Sequence, residues 1–147
     1  MWRYLILCLA CCLVPGPLVW AQIMVRDDSG RTVVLKHPAR RVVTLSPHAT
    51  ELVFAAGGGK QIVATVTPSD YPPEARQLPR IGDGVVPNPE RVAAYAPDLI
   101  VGWLPSQYEA LKILNIPFFI SAPTTLAGVG DNIERLGVLM GSTEIAR

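Results

Sequence analysis

The chain has 147 residues, half of them hydrophobic and 17% charged, with a formal charge of +1. That length allows one small domain, and so balanced a charge gives no clustered basic face of the kind nucleic-acid binding requires. The three cysteines, Cys8, Cys11 and Cys12, all fall in the first 21 residues.

Those residues read as a secretory signal. Arg3 supplies a basic start, Leu5 to Val14 form a short apolar core, Pro15-Gly16-Pro17 breaks it, and Val19-Trp20-Ala21 suits cleavage after Ala21. The apolar run is too short for a membrane span. A lipid-modified cysteine is the alternative, suggested faintly by Leu9-Ala10-Cys11-Cys12. Cleavage removes Arg3, the only charged residue of the segment, so the formal charge falls from +1 to zero. The remaining chain then has no disulfide and no thiolate metal site, and Trp103 is its only tryptophan.

Residues 22–37 read as a β-hairpin. Ile23-Met24-Val25-Arg26 and Thr32-Val33-Val34-Leu35 flank the turn cluster Asp27-Asp28-Ser29-Gly30. From residue 38 to 147 strands alternate with helices. A strand at 42–45 leads into a helix near 47–57, capped by Ser46 with Pro47 in its first position. Gly57-Gly58-Gly59 ends that helix. A strand at 62–66 enters the proline-rich loop 67–87, whose length suggests function. Asn88 caps a short helix, Pro97-Asp98 leads into a strand ending at Gly102, and Pro105 opens a helix to about Leu114. Phe118-Phe119-Ile120 forms the next strand. A last helix starts at Thr125, with Leu126, Val129, Ile133, Leu136 and Met140 at helical spacing. Strands apolar on both faces imply helices on both sides of a mostly parallel sheet, a three-layer α/β/α fold.

Ligands of such sheets bind beyond the carboxyl ends of the strands. Tyr71, stiffened by Pro72 and Pro73, follows one strand; Trp103 follows another; His48 stands in the helix after a third. Each has a bland reading: a packed tyrosine, a rim tryptophan over the next helix, a structural histidine. No second ligand at a recognisable spacing accompanies His48, so contact with a ligand is favoured over metal coordination. Glu51 and Glu90 read as carboxylates in first turns, where the helix dipole favours them, and Asp83 and Asp98 as turn residues. The glycine triplet follows a helix rather than a strand and is no phosphate loop. Neither Gly-x-Ser-x-Gly nor His-Glu-x-x-His occurs, so the chain reads as a binder rather than an enzyme, with no cofactor.

Five segments carry a resemblance: Thr44 to Leu52, Phe54 to Gly57, Ser69 to Pro73, Glu90-Arg91, and Pro97 to Ile100 with Trp103. Together they resemble the iron-siderophore and cobalamin substrate-binding proteins of ABC importers, over roughly Arg31 to the end. The resemblance implies a monomeric periplasmic protein of two α/β lobes joined by one long helix, with the corrinoid ligand in the cleft between them. It makes 38–147 the N-terminal lobe and 125–147 the start of the connecting helix. It places Tyr71 and Trp103 on the ligand, His48 and Ala49 in the loop near its face, and Glu90 against arginines of the permease. The stretch 82–87 carries no aromatic residue where the cobalamin branch can place a tryptophan. Haem or a ferric siderophore is therefore the alternative ligand. Two further readings stand beside these: a lone lobe that binds weakly, and, from another class, a secreted hydrolase.

Overall fold

The structure, a computed structural model, describes residues 22–147. The proposed signal segment and its cysteines lie outside the described residues. None of the described helices is long and apolar enough to cross a membrane.

Strands β1 (Ile23–Arg26) and β2 (Thr32–Leu35) pair antiparallel as the expected hairpin. Strands β3 (Val42–Thr44), β4 (Ile62–Ala64), β5 (Leu99–Gly102) and β6 (Phe118–Ile120) form one parallel sheet in the order β4-β3-β5-β6. The chain steps from β3 outward to β4, then crosses back to β5. The order therefore reverses between β3 and β5, and a crevice opens there beyond the strand ends.

The sheet is apolar on both faces because helices cover both. On one face Val42, Val101 and Phe119 join a core with Val53 of α1 (Pro47–Ala55), Leu136 and Leu139 of α4 (Leu126–Met140), and Val33 and Leu35 of the hairpin. On the other, Val43, Ile100 and Phe118 meet Val92 of α2 (Pro89–Ala93) and Leu111 of α3 (Pro105–Leu111). Successive strand residues go to opposite cores, as the period of two requires.

Helix starts follow the sequence signals. The Ser46 hydroxyl accepts from the Ala49 N–H, Asn88 accepts from the Arg91 N–H, and Thr125 accepts from the Gly128 N–H. A 3-10 turn, Lys112–Leu114, carries α3 to its expected end.

The hairpin turn does more than reverse the chain. Asp27 is buried and accepts from the backbone of Ser29, Arg31 and Ile120. Asp28 accepts from the Ala122 N–H, the Asn132 amide and Arg135. The turn thus ties edge strand β6 to α4.

The last helix differs from expectation. It does not run from Thr125 toward Arg147 without a break: it stops at Met140, because Gly141 takes a left-handed conformation (φ 72°). The Ser142 N–H then bonds back to the Gly137 carbonyl, and Ala146 is buried. With Leu136 and Leu139 fully buried, α4 belongs to this lobe. Leu136→Ala is accordingly expected to cost roughly 2–5 kcal/mol of unfolding free energy. Urea denaturation checks this, and a loss below about 1 kcal/mol would mean that α4 is only loosely attached.

Candidate functional site

A polar cluster with no solvent access lies at the ends of β3 and β4, on one side of the crevice. The hydroxyls of Thr44, Thr50, Thr65 and Ser69 are all buried, and every link among them is 2.8–3.1 Å. Thr50 also donates to the Ser46 carbonyl at 2.9 Å. One cluster therefore joins the end of β3, the first turn of α1, the end of β4 and the loop after it.

A second device fixes the opposite wall. The buried Gln107 accepts from the Trp103 and Leu104 N–H groups at 2.9 and 3.1 Å. Its amide nitrogen donates to the Leu45 and Gly84 carbonyls at 3.2 and 2.6 Å. Its four hydrogen-bonding positions are thus filled, and three strand-end loops are held by one side chain. Two glycines make this approach possible. A Cβ on Gly102 would lie 2.5 Å from the Phe118 ring, and one on Gly84 (φ 86°) would lie 2.5 Å from the Leu45 carbonyl oxygen.

On this base stand His48 and Trp103, ring to ring edge-on, with centroids 6.0 Å apart. His48 Nε2 lies 2.9 Å from the Ser121 carbonyl oxygen, so it donates there. Nδ1, 3.1 Å from the Ser46 hydroxyl, is left to accept. Both ring nitrogens are occupied, and neither is free for a metal. Among the described residues no group of three His, Cys, Asp or Glu side chains is placed to hold a metal ion.

His48 and Trp103 line a cavity of about 520 Å³ with Glu51, Leu52, Ala122, Pro123 and Val129. A smaller cavity of about 230 Å³ continues past the indole toward Asp83, Gly84 and Val85. Glu51 is the one charged side chain lining the first of these, Asp83 the one lining the second, and no lysine or arginine lines either. Trp103 is 41% exposed, and Val85 and Val86 stand out beside it.

The other sequence candidates fall in three places. Tyr71 is 63% exposed but lines a neighbouring groove of about 1040 Å³, with Phe54, Ala55, Leu78 and Ile145; Glu51 is common to this groove and the Trp103 cavity. Glu90 is exposed on the first turn of α2 and lines none of these cavities. Ala49, next to His48, is fully buried, and its side chain packs into the core rather than lining a cavity. Glu51 departs from the sequence reading: it lies beyond the first turn of α1, outside the reach of a dipole effect that fades within one turn. The loop 67–87 is more ordered than its prolines suggest. Arg80 donates to the carbonyls of Val66, Ser69 and Ala75, and the Ile81 N–H reaches the Thr65 carbonyl.

Sequence reasoning missed Gln107 and the hydroxyl cluster. A glutamine four residues after the tryptophan, just inside a proline-led helix, was the available signal for the first. The second had none, because its members are scattered over 26 positions of the chain.

Gln107→Leu keeps the volume but orphans two N–H and two C=O groups, for a loss of roughly 2–4 kcal/mol. In a chain beginning at Gln22, where Trp103 is the only tryptophan, its emission should shift to the red. Unchanged emission would mean that the indole is held by something else.

Three comparisons bear on this geometry. The chain is 37% identical over 114 residues to the vitamin B12-binding protein of Vibrio cholerae, covering 75% of this chain and 41% of that relative. The crystal structure of the periplasmic vitamin B12-binding protein of Vibrio cholerae superposes with a TM-score of 0.69 at 37% identity, over 74% of this chain and 44% of that one. A periplasmic haem-binding protein from Pseudomonas aeruginosa superposes with a TM-score of 0.66 at 26% identity, over 74% and 40%. No family model matches the chain. The chain thus spans about two-fifths of the length of the curated relatives it matches.

Proposed function

We propose that this chain, a homologue of the vitamin B12-binding proteins, forms one lobe of a periplasmic substrate-binding protein that captures a corrinoid and hands it to an ABC importer. The observation that carries the reading is the His48–Trp103 platform, held rigid at the point where the strand order reverses and open to an apolar cavity. A large planar ligand suits it. The indole gives a flat apolar face on a backbone already fixed by Gln107, so little main-chain freedom is lost on binding, and a few polar groups at the edges set orientation. Tyr71, across Glu51, extends the contact surface for a ligand wider than one cavity. The homologues are binding proteins, and the lobe needs no chemistry for this role.

Haem is the second reading, favoured by the Pseudomonas aeruginosa relative. It is the weaker one. The relative is 26% identical against 37% for the vitamin B12-binding protein, and with both nitrogens of His48 hydrogen-bonded the iron ligand on this lobe would be the exposed Tyr71.

In this reading 22–37 is a hairpin appended to the lobe 38–147, a second lobe covers the far face of the ligand, and residues 1–21 direct export. Glu90, exposed and rigid on its capped helix, suits docking to a basic surface of the permease. One lobe alone covers one face of the ligand, so it should bind more weakly than a two-lobed form.

Cyanocobalamin should quench Trp103 fluorescence in the chain from Gln22, and calorimetry should show heat at micromolar to millimolar ligand. Trp103→Ala should lose about 2 kcal/mol of binding. No heat and no quenching, together with a haem complex formed under the same conditions, would overturn the corrinoid reading. Glu90→Arg should leave corrinoid affinity alone and lower ligand-stimulated ATP hydrolysis by the importer; equal stimulation by both forms would remove Glu90 from the docking surface.

A further inference from the structure

We infer that Glu51 sets the charge selectivity of this cleft, admitting planar ligands edged with carboxamides and turning away the same shape edged with carboxylates. The inference deepens the corrinoid reading and rests on it.

Glu51 stands three residues after His48 on α1, so the two side chains share a helix face. It is exposed, and among the described residues it has neither a hydrogen-bond nor an ion-pair partner. It also forms the divide between the Trp103 cavity and the Tyr71 groove, lining both. Any ligand broad enough to touch both aromatic residues must pass its carboxylate. The surrounding charge does not cancel it. The two cavities beside Trp103 have no cationic lining, and Asp83 adds a second carboxylate. In the groove Lys60 is balanced by Glu74 as well as Glu51.

A free carboxylate has no hydrogen to donate and accepts strongly. A carboxamide edge offers N–H donors, and hydrogen bonds to an ionised acceptor are roughly twice as strong as neutral ones. A carboxylate edge offers no donor and brings like charge against Glu51, which repels it, the more so where the bound ring itself displaces water. The same side chain therefore favours one edge and opposes the other. Corrinoids carry carboxamide edges. Haem carries carboxylates.

The test holds the ring constant and changes the edge. The chain from Gln22 and its Glu51→Gln and Glu51→Lys variants are titrated with cyanocobalamin and with the corrinoid whose peripheral amides have been hydrolysed to carboxylates, following Trp103 quenching at low and high salt. Wild type should prefer the amide form, and Glu51→Lys should shift the affinity ratio toward the carboxylate form by roughly tenfold or more, with Glu51→Gln between them. Salt should strengthen binding of the carboxylate form to wild type and weaken it for Glu51→Lys, a reversal that a merely structural role would not produce. Equal ratios in all three proteins, or ratios indifferent to salt, would overturn the inference and leave corrinoid binding standing. Failure of wild type to take up cyanocobalamin would instead overturn the corrinoid reading itself, and this inference with it.

Discussion

Four buried hydroxyls carry the site. A hydroxyl moved from water into an apolar interior without a partner costs several kcal/mol, and the same group with its partners costs little. Thr44, Thr65 and Ser69 meet that demand through one another and through Thr50, which also donates to the Ser46 carbonyl. No member can shift without leaving another short. The ends of β3 and β4, the first turn of α1 and the loop after β4 are thereby obliged to move as one body. No buried side-chain nitrogen or oxygen among the described residues lacks a partner, so the constraint is fully met.

Beyond that cluster, order is imposed on loops by single side chains rather than by regular structure. Gln107 holds the backbone at Trp103, Leu45 and Gly84, and Arg80 holds three carbonyls of the loop after β4. The hairpin turn does the same for β6 through Asp27 and Asp28. The result is an apolar surface exposed on a backbone that side-chain hydrogen bonds hold in place. An indole left 41% exposed in water forgoes part of its burial free energy in the free lobe. Because its backbone is already fixed, most of that free energy is still to be gained when a ligand covers it.

What the sequence revealed and what it hid divide along physical lines. Strand runs, proline-led helix starts and their Ser, Asn and Thr caps are local, and each formed where its signal stood. The sheet order, and with it the meeting of His48 and Trp103, is non-local; it followed from the alternation of strands and helices, not from any one residue. The end of α4 was legible and was passed over: the apolar series stops at Met140 and a glycine follows, which is how a helix ends. The inward packing of the Ala49 side chain was not legible, because a helix first turn has an inner side as well as an outer one, and only packing against Val42 and Leu99 of the same core decides which it faces. The partners of Gln107 lie up to 62 positions away, beyond any local pattern.

Both ring nitrogens of His48 are occupied. A histidine facing a ligand cleft is an invitation to metal chemistry. Here its Nε2–H is committed to the Ser121 carbonyl at the end of β6, and its Nδ1 to the Ser46 cap of α1. The ring therefore bridges two strand ends across the reversal point, and its edge props the indole of Trp103. Freeing either nitrogen for a metal would leave the Ser46 hydroxyl or the Ser121 carbonyl without its His48 partner and would turn the ring that lies edge-on to Trp103. The platform can be rigid and apolar, or it can offer an iron ligand, but the same imidazole cannot supply both. With both nitrogens hydrogen-bonded, the imidazole serves the platform's shape, which is what the corrinoid proposal draws on.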